Sequence, residues 1–541
     1  MPFTVADYVL RRLTQQGVDT LFGVPAVFCA PLYETAPAHG ITAVVTANDL
    51  EAGYAADGYG RSKGLAAVSV ANGVGTLSLI NAIAGALVER SPVVVINGGP
   101  TAGHLADQRR LDVVYSHSIG RDATDLNAFA LVTAYAARAA TVGEVPAVVD
   151  AAVSTALRQK RPVYVEINMG LWGESCPEPG APLSDQVAPV GTETQLADTI
   201  IGLVRTAQKP VLLVGAEVQR YGLADAVAGL IADLGIRWAS DMLSKSTVPE
   251  GGPGWIGVYD PPYAPAAIRQ PIEQADLLVT LGSVFPNAYA PLVNSAFDRM
   301  VAVYDGKVRI GSAPKQDAEI RALVAALRAK ATEQPPAVPP AGAAPMIAGP
   351  PAAGPLTYRG VFERIGMILD PSLITVADTF LGVYSAANLP VRGRDSFLSD
   401  PVWASIGHSV AAAVGVSFAS SRRPLVICGD GGFQMTAQSM STMARYGRNP
   451  IVVIIENGIY GFEQYLLGRN YFFSPAEQPK PYARIADWDL AQFAASLGVT
   501  AASEVDTAAE LDTALAVAKA HNGPYVIVAK VDPRGLPAEL P

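Results

Sequence analysis

Residues 425–432 read LVICGDGG, and residues 451–458 read IVVIIENG. Each stretch is an apolar run that ends at glycine beside a carboxylate or an amide, a pattern typical of a buried strand and its turn. The segment between them, from Gln434 to Tyr446, has helical character, so the order strand, helix, strand predicts two parallel neighbours in one sheet. The carboxyl ends of such strands open into one crevice, where α/β folds bind their ligands.

The polar residues at these strand ends suit a metal ion and a diphosphate. Asp430 offers an anionic oxygen and Asn457 a neutral carbonyl oxygen, and Mg²⁺ prefers oxygen ligands that it shares with phosphates. Gly431 and Gly432 allow the backbone to approach a diphosphate at the start of the following helix, where free N–H groups favour anions. Taken singly, D-G-G and N-G are ordinary turn sequences. The 24 residues that separate the GDG from the Glu-Asn pair favour a shared site instead.

Similar strand patterns recur along the chain and alternate with Ala-rich, amphipathic stretches such as 5–16 and 50–60. This alternation predicts an α/β protein made of three doubly wound parallel-sheet domains. We expect a first domain at 1–180, a middle domain at 190–332, a Pro/Ala/Gly linker at 333–356 and a third domain at 357–541. The predicted strands are Thr20–Gly23, Thr42–Thr46, Ala67–Val70, Val93–Asn97, Val163–Ile167, Lys209–Gly215, Leu277–Gly282, Leu373–Ala377, Leu425–Cys428, Ile451–Glu456 and Val526–Val531.

Composition excludes several classes of protein. Half of the 541 residues are hydrophobic and 16% are charged, with a net charge of −10, which argues against nucleic acid or an anionic membrane as the main partner. Three scattered cysteines are too few for a disulfide framework. The start lacks a secretory signal, and no apolar run reaches the roughly 20 residues of a membrane span. We therefore expect a soluble, cytoplasmic protein.

The GDG, the spacer of this length and the retained asparagine resemble the motif of the thiamine diphosphate enzymes. The resemblance implies that Asp430, Asn457 and the backbone carbonyl of Ile459 coordinate Mg²⁺, which bridges the cofactor's diphosphate. Glu456 stands where the family has the first asparagine of a pair, but the metal-binding asparagine is kept.

A second motif near the start of the chain is EAGYAADGYGR at residues 51–61. Locally, Glu51 in the first turn of a helix is explained equally well by the helix macrodipole. The segment is nevertheless similar to the pyrimidine-binding motif of thiamine diphosphate decarboxylases, and residues 73–86 resemble pyruvate and indolepyruvate decarboxylases in particular. The resemblance implies that Glu51 hydrogen-bonds the aminopyrimidine ring, whose amino group then removes the thiazolium C2 proton.

In the third predicted domain, residues 402–407 read VWASIG and match the family segment that cradles the pyrimidine. The resemblance implies that Ala404 contributes a backbone carbonyl, that Ile406 forces the bent shape of the cofactor, and that Thr379 also contacts it. By local composition alone, a branched apolar residue such as Ile406 belongs to a core.

Two further residues suggest which reaction is catalysed. Glu463 lies six residues beyond Asn457, where the pyruvate decarboxylase group has a catalytic glutamate and acetohydroxyacid synthases have an apolar residue. His117 aligns with the second of the family's two paired histidines. None of the five histidines falls in the middle domain, which argues against chemistry of the benzoylformate decarboxylase kind. Glu463 as a solvated helix-start acid and His117 as a structural histidine are the alternatives.

Two departures from the family pattern affect proton transfer. Val27 replaces an aspartate, and Ser116 replaces the first of the paired histidines; each well-placed acid–base group is worth about 10²–10⁴ in rate. We expect aldehyde release to be slowed, and the apolar Val27 and Phe28 to favour a larger or more hydrophobic acyl group.

The sequence therefore predicts a lyase that uses thiamine diphosphate and Mg²⁺ to decarboxylate a 2-keto acid through an enamine, which yields an aldehyde or, by carboligation to an aldehyde or ketone, a 2-hydroxyketone. The alternatives are a dedicated carboligase or lyase and a silent cofactor-binding homologue. The resemblance also implies that Glu51 and the diphosphate site come from different subunits of a homodimer or homotetramer. The catalytic set is Glu51, Glu463 and His117, and Val27, Phe28 and Ser116 line the substrate pocket.

Overall fold

A computed structural model of the chain describes residues 2–333, 342 and 353–540. Most of the predicted linker at 333–356 lies outside the described residues. The chain folds into two compact units. The first unit comprises the residues up to Gln186 together with Ala411–Ser421 and Gln438–Arg448; the second comprises Val187–Val410, Arg422–Ala437 and the residues from Asn449 onward.

The first unit contains a six-stranded sheet in which every strand pair is parallel. Its strands are β1 (Thr20–Gly23), β2 (Thr42–Val45), β3 (Ala66–Ser69), β4 (Val93–Gly99), β5 (Tyr135–Ala139) and β6 (Val163–Asn168), in the order β2-β1-β3-β4-β6-β5. Its helices are α1 (Val5–Gln15), α2 (Ala30–Thr35), α3 (Asp49–Lys63), α4 (Val74–Val88), α5 (Ala102–Leu111), α6 (Thr124–Ala130) and α7 (Val145–Gln159). The predicted strands of this region are confirmed to within two residues.

Strand β5 was not predicted from the sequence. It reads YAARA and has no β-branched residue, and four of its five residues are only half-buried because the strand lies at the edge of the sheet. Pairing with β6 therefore decides its conformation, rather than its own weak strand propensity.

The second unit contains two sheets. The first of these has seven strands, β7 (Pro210–Val214), β8 (Arg237–Ser240), β9 (Trp255–Val258), β10 (Leu277–Leu281), β11 (Met300–Tyr304), β12 (Lys307–Ile310) and β13 (Gln316–Asp317), in the order β13-β12-β11-β10-β7-β8-β9. Five strands are parallel, whereas β12 pairs antiparallel with both β11 and the edge strand β13. Its helices are α8 (Glu193–Thr206), α9 (Ala216–Arg220), α10 (Ala224–Leu234), α11 (Ala266–Glu273), α12 (Ala290–Ala296) and α13 (Ile320–Ala331).

The second sheet of this unit is fully parallel and contains the strands formed by residues 425–429 and 451–456. Its strands are β14 (Leu373–Ala377), β15 (Phe397–Ser399), β16 (Arg423–Gly429), β17 (Ile451–Glu456), β18 (Ala502–Val505) and β19 (Tyr525–Lys530), in the order β15-β14-β16-β17-β19-β18. The remaining helices of the chain are α14 (Tyr358–Ile368), α15 (Val383–Ala387), α16 (His408–Ala419), α17 (Asp430–Thr436), α18 (Ser439–Arg445), α19 (Gly461–Gly468), α20 (Leu490–Ser496) and α21 (Ala508–Ala520). Of these, α18 and most of α16 belong to the first unit. The three α/β sheets confirm the predicted fold class.

The helix expected over 434–446 has different bounds. Two short helices, α17 and α18, occupy this region, and α17 already begins at Asp430 because Gly429 is extended and forms its N-cap. An acidic residue in the first turn stabilises a helix start, and this outweighs the low helix propensity of the two glycines that follow.

Among the described residues, no helix has the length and apolar character that a membrane crossing requires.

Helix α3 is held in the first unit by a buried ion group. The Arg61 guanidinium lies 2.8 Å from a carboxylate oxygen of Asp57 and 2.8 Å from one of Glu89. All three side chains are almost fully buried. Removing one partner from such a group leaves an uncompensated buried charge, which typically costs about 3–5 kcal/mol.

We therefore expect Arg61→Met to lower the free energy of unfolding by about 3–5 kcal/mol in urea denaturation. Lys63→Met is the matched control, because Lys63 lies on the same helix but pairs with Asp19 where both side chains are partly exposed to solvent; its cost should stay below about 1 kcal/mol. Equal losses for the two variants would contradict a stabilising role for the buried group.

Candidate active site

The carboxyl ends of β16 and β17 are joined by the side chain of Asp430. Its Oδ2 accepts hydrogen bonds from the backbone N–H groups of Asn457 at 3.1 Å and Gly458 at 2.7 Å. Its Oδ1 accepts one from Gly431 N at 3.0 Å. The two stretches that the sequence predicted to meet at one edge of the sheet therefore do so.

A cavity of about 230 Å³ opens at this edge of the sheet. Nine of the predicted site residues line it, and all nine belong to the second unit: the cofactor and metal residues Thr379, Ala404, Ile406, Asp430, Gly431, Gly432, Asn457 and Ile459, and the catalytic Glu463. Apolar and aromatic side chains complete the wall, among them Phe380, Leu381, Phe462 and Ile485. Residues distant in sequence thus share one concave site, as expected of a ligand pocket.

The oxygen atoms at the bottom of the cavity suit a divalent cation. Asp430 is buried, which raises the pKa of its carboxyl group, while the backbone N–H groups that it accepts lower the pKa again. Asn457 Oδ1 accepts a hydrogen bond from Ile459 N at 3.1 Å. A carboxylate, an amide oxygen and the adjacent backbone form the donor set that Mg²⁺ prefers.

The described lining residues include no lysine, arginine or histidine; their charged side chains are Asp430 and Glu463. A diphosphate in this cavity would therefore meet backbone N–H groups and two carboxyl groups, and a cation is needed to neutralise it. The residues present fit Mg²⁺ together with a diphosphate.

Gly431 and Gly432 are required by packing within the chain. A Cβ on Gly432 would lie 2.1 Å from Asp378 Oδ2, and one on Gly431 would lie 2.5 Å from the Tyr460 ring. Any larger residue at either position would displace a wall of the cavity.

The segment that carries Ala404 and Ile406 is held by two buried carboxylates that sequence reasoning missed. Asp400 Oδ2 accepts from Ser405 N at 3.0 Å, and Asp378 Oδ2 accepts from Gly407 N at 2.9 Å. Burial raises the pKa of Asp378 to about 6, although the backbone N–H groups of Gly407 and Ser409, which Asp378 accepts, act in the opposite direction. Asp378 comes directly after β14 as Asp430 comes directly after β16, and this strand-end position is the signal by which it could have been found.

Glu51 lies in the first turn of α3, as predicted, and is fully buried in the first unit. Asn48 caps the helix by accepting a hydrogen bond from Glu51 N at 2.8 Å, and Glu51 Oε2 accepts from Ala47 N at 2.9 Å. Glu51 Oε1 is buried without a hydrogen-bond partner. Burial raises the pKa of this carboxyl group to about 7, although the nearby Thr442 hydroxyl and the Ala47 N–H act in the opposite direction.

The unpartnered oxygen of Glu51 fits a ligand with a hydrogen-bonding ring nitrogen, because a buried carboxyl oxygen without a partner is costly. A pKa near neutrality also lets the group carry a proton at physiological pH. Both properties suit the aminopyrimidine of thiamine diphosphate.

The other predicted residues of the first unit lie around a strained loop. His117 is exposed and has a left-handed backbone with φ of 70°, and its ring lies 5.5 Å from that of Phe28. A Cβ on Gly73 would lie 2.0 Å from the His117 carbonyl oxygen, so glycine is required there. Ser116 and Val27 are exposed, Val27 to 69%.

Comparison with known proteins places the whole chain in one group. Models of thiamine pyrophosphate enzyme domains match it three times: the N-terminal TPP binding domain over residues 3–118, the central domain over 197–330 and the C-terminal TPP binding domain over 381–529. The alpha-keto-acid decarboxylase of Mycobacterium tuberculosis is 33% identical, over 98% of this chain and 95% of the relative. That of Mycolicibacterium paratuberculosis is 32% identical, over 98% and 94%.

Among solved structures, the benzoylformate decarboxylase of Polynucleobacter necessarius superimposes with a TM-score of 0.81 over 99% of both chains, at 18% sequence identity. This likeness supports the fold. The full-length matches to alpha-keto-acid decarboxylases, together with the three cofactor-enzyme domains, show that the chain belongs to the family of thiamine diphosphate-dependent 2-keto acid decarboxylases.

Proposed function

We propose that the protein catalyses the thiamine diphosphate- and Mg²⁺-dependent, non-oxidative decarboxylation of a 2-keto acid, with an aldehyde or, by carboligation, a 2-hydroxyketone as product. The observation that carries this proposal is the cavity in which nine expected residues converge at the ends of β16 and β17. Membership of the decarboxylase family supports it.

In this proposal, Asp430, Asn457 and the carbonyl of Ile459 hold Mg²⁺, and Gly431 and Gly432 keep space for the diphosphate. Ala404 and Ile406 line the cavity and would support the rest of the cofactor. The bound cofactor supplies an electron sink for the electrons that remain when CO₂ leaves the keto acid. The apolar side chains of Phe380, Leu381, Phe462 and Ile485 in the wall would reduce the hydration of a bound carboxylate, which favours its loss as CO₂.

Glu51 would share a proton with the aminopyrimidine ring, and Glu463 and His117 would move protons at the substrate. Glu463 is exposed in the first turn of α19 at the cavity wall, where it is accessible to a bound keto acid. His117 is exposed as well.

A dedicated carboligase is the second candidate, and Val27 and Ser116 favour it. Neither side chain is an acid or a base near neutral pH, and the resemblance to thiamine diphosphate decarboxylases implies that both stand where that family has acid–base residues. Without acid–base groups at these positions, the protonation that leads to aldehyde release is slowed. Transfer of the acyl unit to an acceptor can then compete with aldehyde release.

The buried Glu51 also affects stability in a pH-dependent way. Its pKa rises from the ordinary 4.5 to about 7 in the folded protein. Below pH 4.5 the folded and the unfolded protein both carry the proton, so the burial of this carboxyl group does not lower the free energy of unfolding. Between pH 4.5 and pH 7 the unfolded state loses its proton before the folded state does, so the free energy of unfolding falls as the pH rises. Above pH 7 this loss is complete and is on the order of 3 kcal/mol.

We therefore expect Glu51→Gln to abolish cofactor-dependent activity and, without cofactor, to stabilise the protein. The gain over wild type should grow from near zero at pH 4.5 to about 3 kcal/mol at pH 8, as measured by urea denaturation across this range. Glu193→Gln is a control that should change stability in the opposite direction. Burial favours the neutral form of Glu193, but the backbone N–H groups of Glu319 and Val190 outweigh this effect and lower the pKa of the carboxyl group to about 2. A Glu51→Gln variant that is active or destabilised at pH 8 would contradict the assigned role.

The substrate is tested by CO₂ release from a panel of 2-keto acids, from pyruvate to phenylpyruvate and indolepyruvate, with products identified by mass. We expect CO₂ release that requires both thiamine diphosphate and Mg²⁺ and stops when EDTA removes the metal. Equal amounts of aldehyde and CO₂ would identify a decarboxylase, whereas hydroxyketone without aldehyde would identify the carboligase. No CO₂ from any acid would refute the proposed function.

We also propose that the protein is a homodimer or homotetramer. Several large apolar side chains are exposed on the first unit, including Val74, Leu77, Val114 and Ile119, and their burial in a subunit contact would be favourable. Sedimentation equilibrium should give twice or four times the 56.3 kDa chain mass. A monomer at micromolar concentration would contradict this proposal.

A further inference from the structure

A tyrosine that no sequence motif contains forms a hydrogen bond with the proposed metal ligand Asn457. Tyr358 is the first residue of α14, is 2% exposed and lines the cavity. Its hydroxyl oxygen accepts a hydrogen bond of 3.0 Å from Asn457 Nδ2. This hydrogen bond joins the start of α14 to the residue that follows β17, 99 positions later in the chain.

The two ends of the Asn457 amide therefore have different partners. The oxygen end accepts the Ile459 N–H at 3.1 Å, and the nitrogen end donates to Tyr358. The backbone N of the same residue donates to Asp430 Oδ2 at 3.1 Å. Backbone and side chain of Asn457 are thus both held.

The orientation of this amide matters for a metal. Only its oxygen has lone pairs for Mg²⁺; the NH₂ group is a donor and cannot ligate. The two ends have nearly the same shape, so packing alone does not distinguish them, and the hydrogen-bond partners must. The polar groups around a ligand that orient it typically change metal affinity by 10- to 100-fold when they are removed.

We propose that Tyr358 is a positioning residue that holds the Asn457 amide with Oδ1 toward the Mg²⁺ of the cofactor. This inference rests on the proposed function. It assigns to Tyr358 a contribution to metal affinity that acts entirely through Asn457.

The test measures Mn²⁺ binding in the presence of thiamine diphosphate, by the electron paramagnetic resonance signal of free Mn²⁺. Tyr358→Phe, which keeps the ring and removes only the hydroxyl, should weaken Mn²⁺ binding at least about 10-fold. Tyr289→Phe is the matched control: Tyr289 is equally buried in the same unit and donates its hydroxyl to the Tyr259 carbonyl at 2.5 Å. It should bind Mn²⁺ as the wild type does.

Repeating the substitution in an Asn457→Asp variant distinguishes an effect on the orientation of the amide from a general effect on packing. In Asn457→Asp both ends of the side chain are oxygen, so adding Tyr358→Phe there should weaken Mn²⁺ binding less than about twofold, against about 10-fold with asparagine. Unchanged binding in Tyr358→Phe, or equal weakening in both backgrounds or in the Tyr289 control, would overturn the inference while leaving the proposed function intact. A wild-type protein that binds no Mn²⁺ with thiamine diphosphate would overturn both.

Discussion

The arrangement of the second unit's site depends on one carboxylate. Asp430 ends β16 and accepts backbone N–H groups from the turn that ends β17, so two strand ends and the start of α17 meet at its side chain. These bonds place Asn457 beside Asp430 and aim both oxygen-bearing groups into one cavity. A neutral residue here would lose the charge that a metal needs and the acceptor that joins the strands.

Other buried acids show the same link between stability and function. Glu51 and Asp378 are both fully buried, with pKa values raised to about 7 and about 6. Burying an ionisable group in this way costs stability. Asp378 recovers part of that cost through the N–H groups of the loop that it holds, whereas Glu51 keeps one oxygen without a partner. An unpartnered oxygen of this kind is expected where a ligand completes the hydrogen bonding.

The accuracy of the sequence predictions follows the strength of the local signal for several elements, but not for β11, whose apolar run MVAVY was not predicted. Buried parallel strands such as β17 are continuous apolar runs and were predicted to the residue, because burial on both faces demands that composition. The edge strand β5 and the short strand β15 carry no such run and were missed. The start of α17 was also missed, since its glycines predict a loop while an acidic first turn and the adjoining strand end favour a helix.

The sequence by itself determined the fold class, the family and the identity of the residues proposed to bind the metal and the cofactor, because these depend on residue types at fixed spacings along the chain. Only the tertiary structure decided that Asp378 and Asp400 hold the Ala404 segment, that Glu51 has one oxygen without a partner, and that Tyr358 faces the Asn457 amide. These contacts join residues up to 99 positions apart. Hydrogen bonds of this kind depend on distances and directions in space, which spacing along a single chain does not encode.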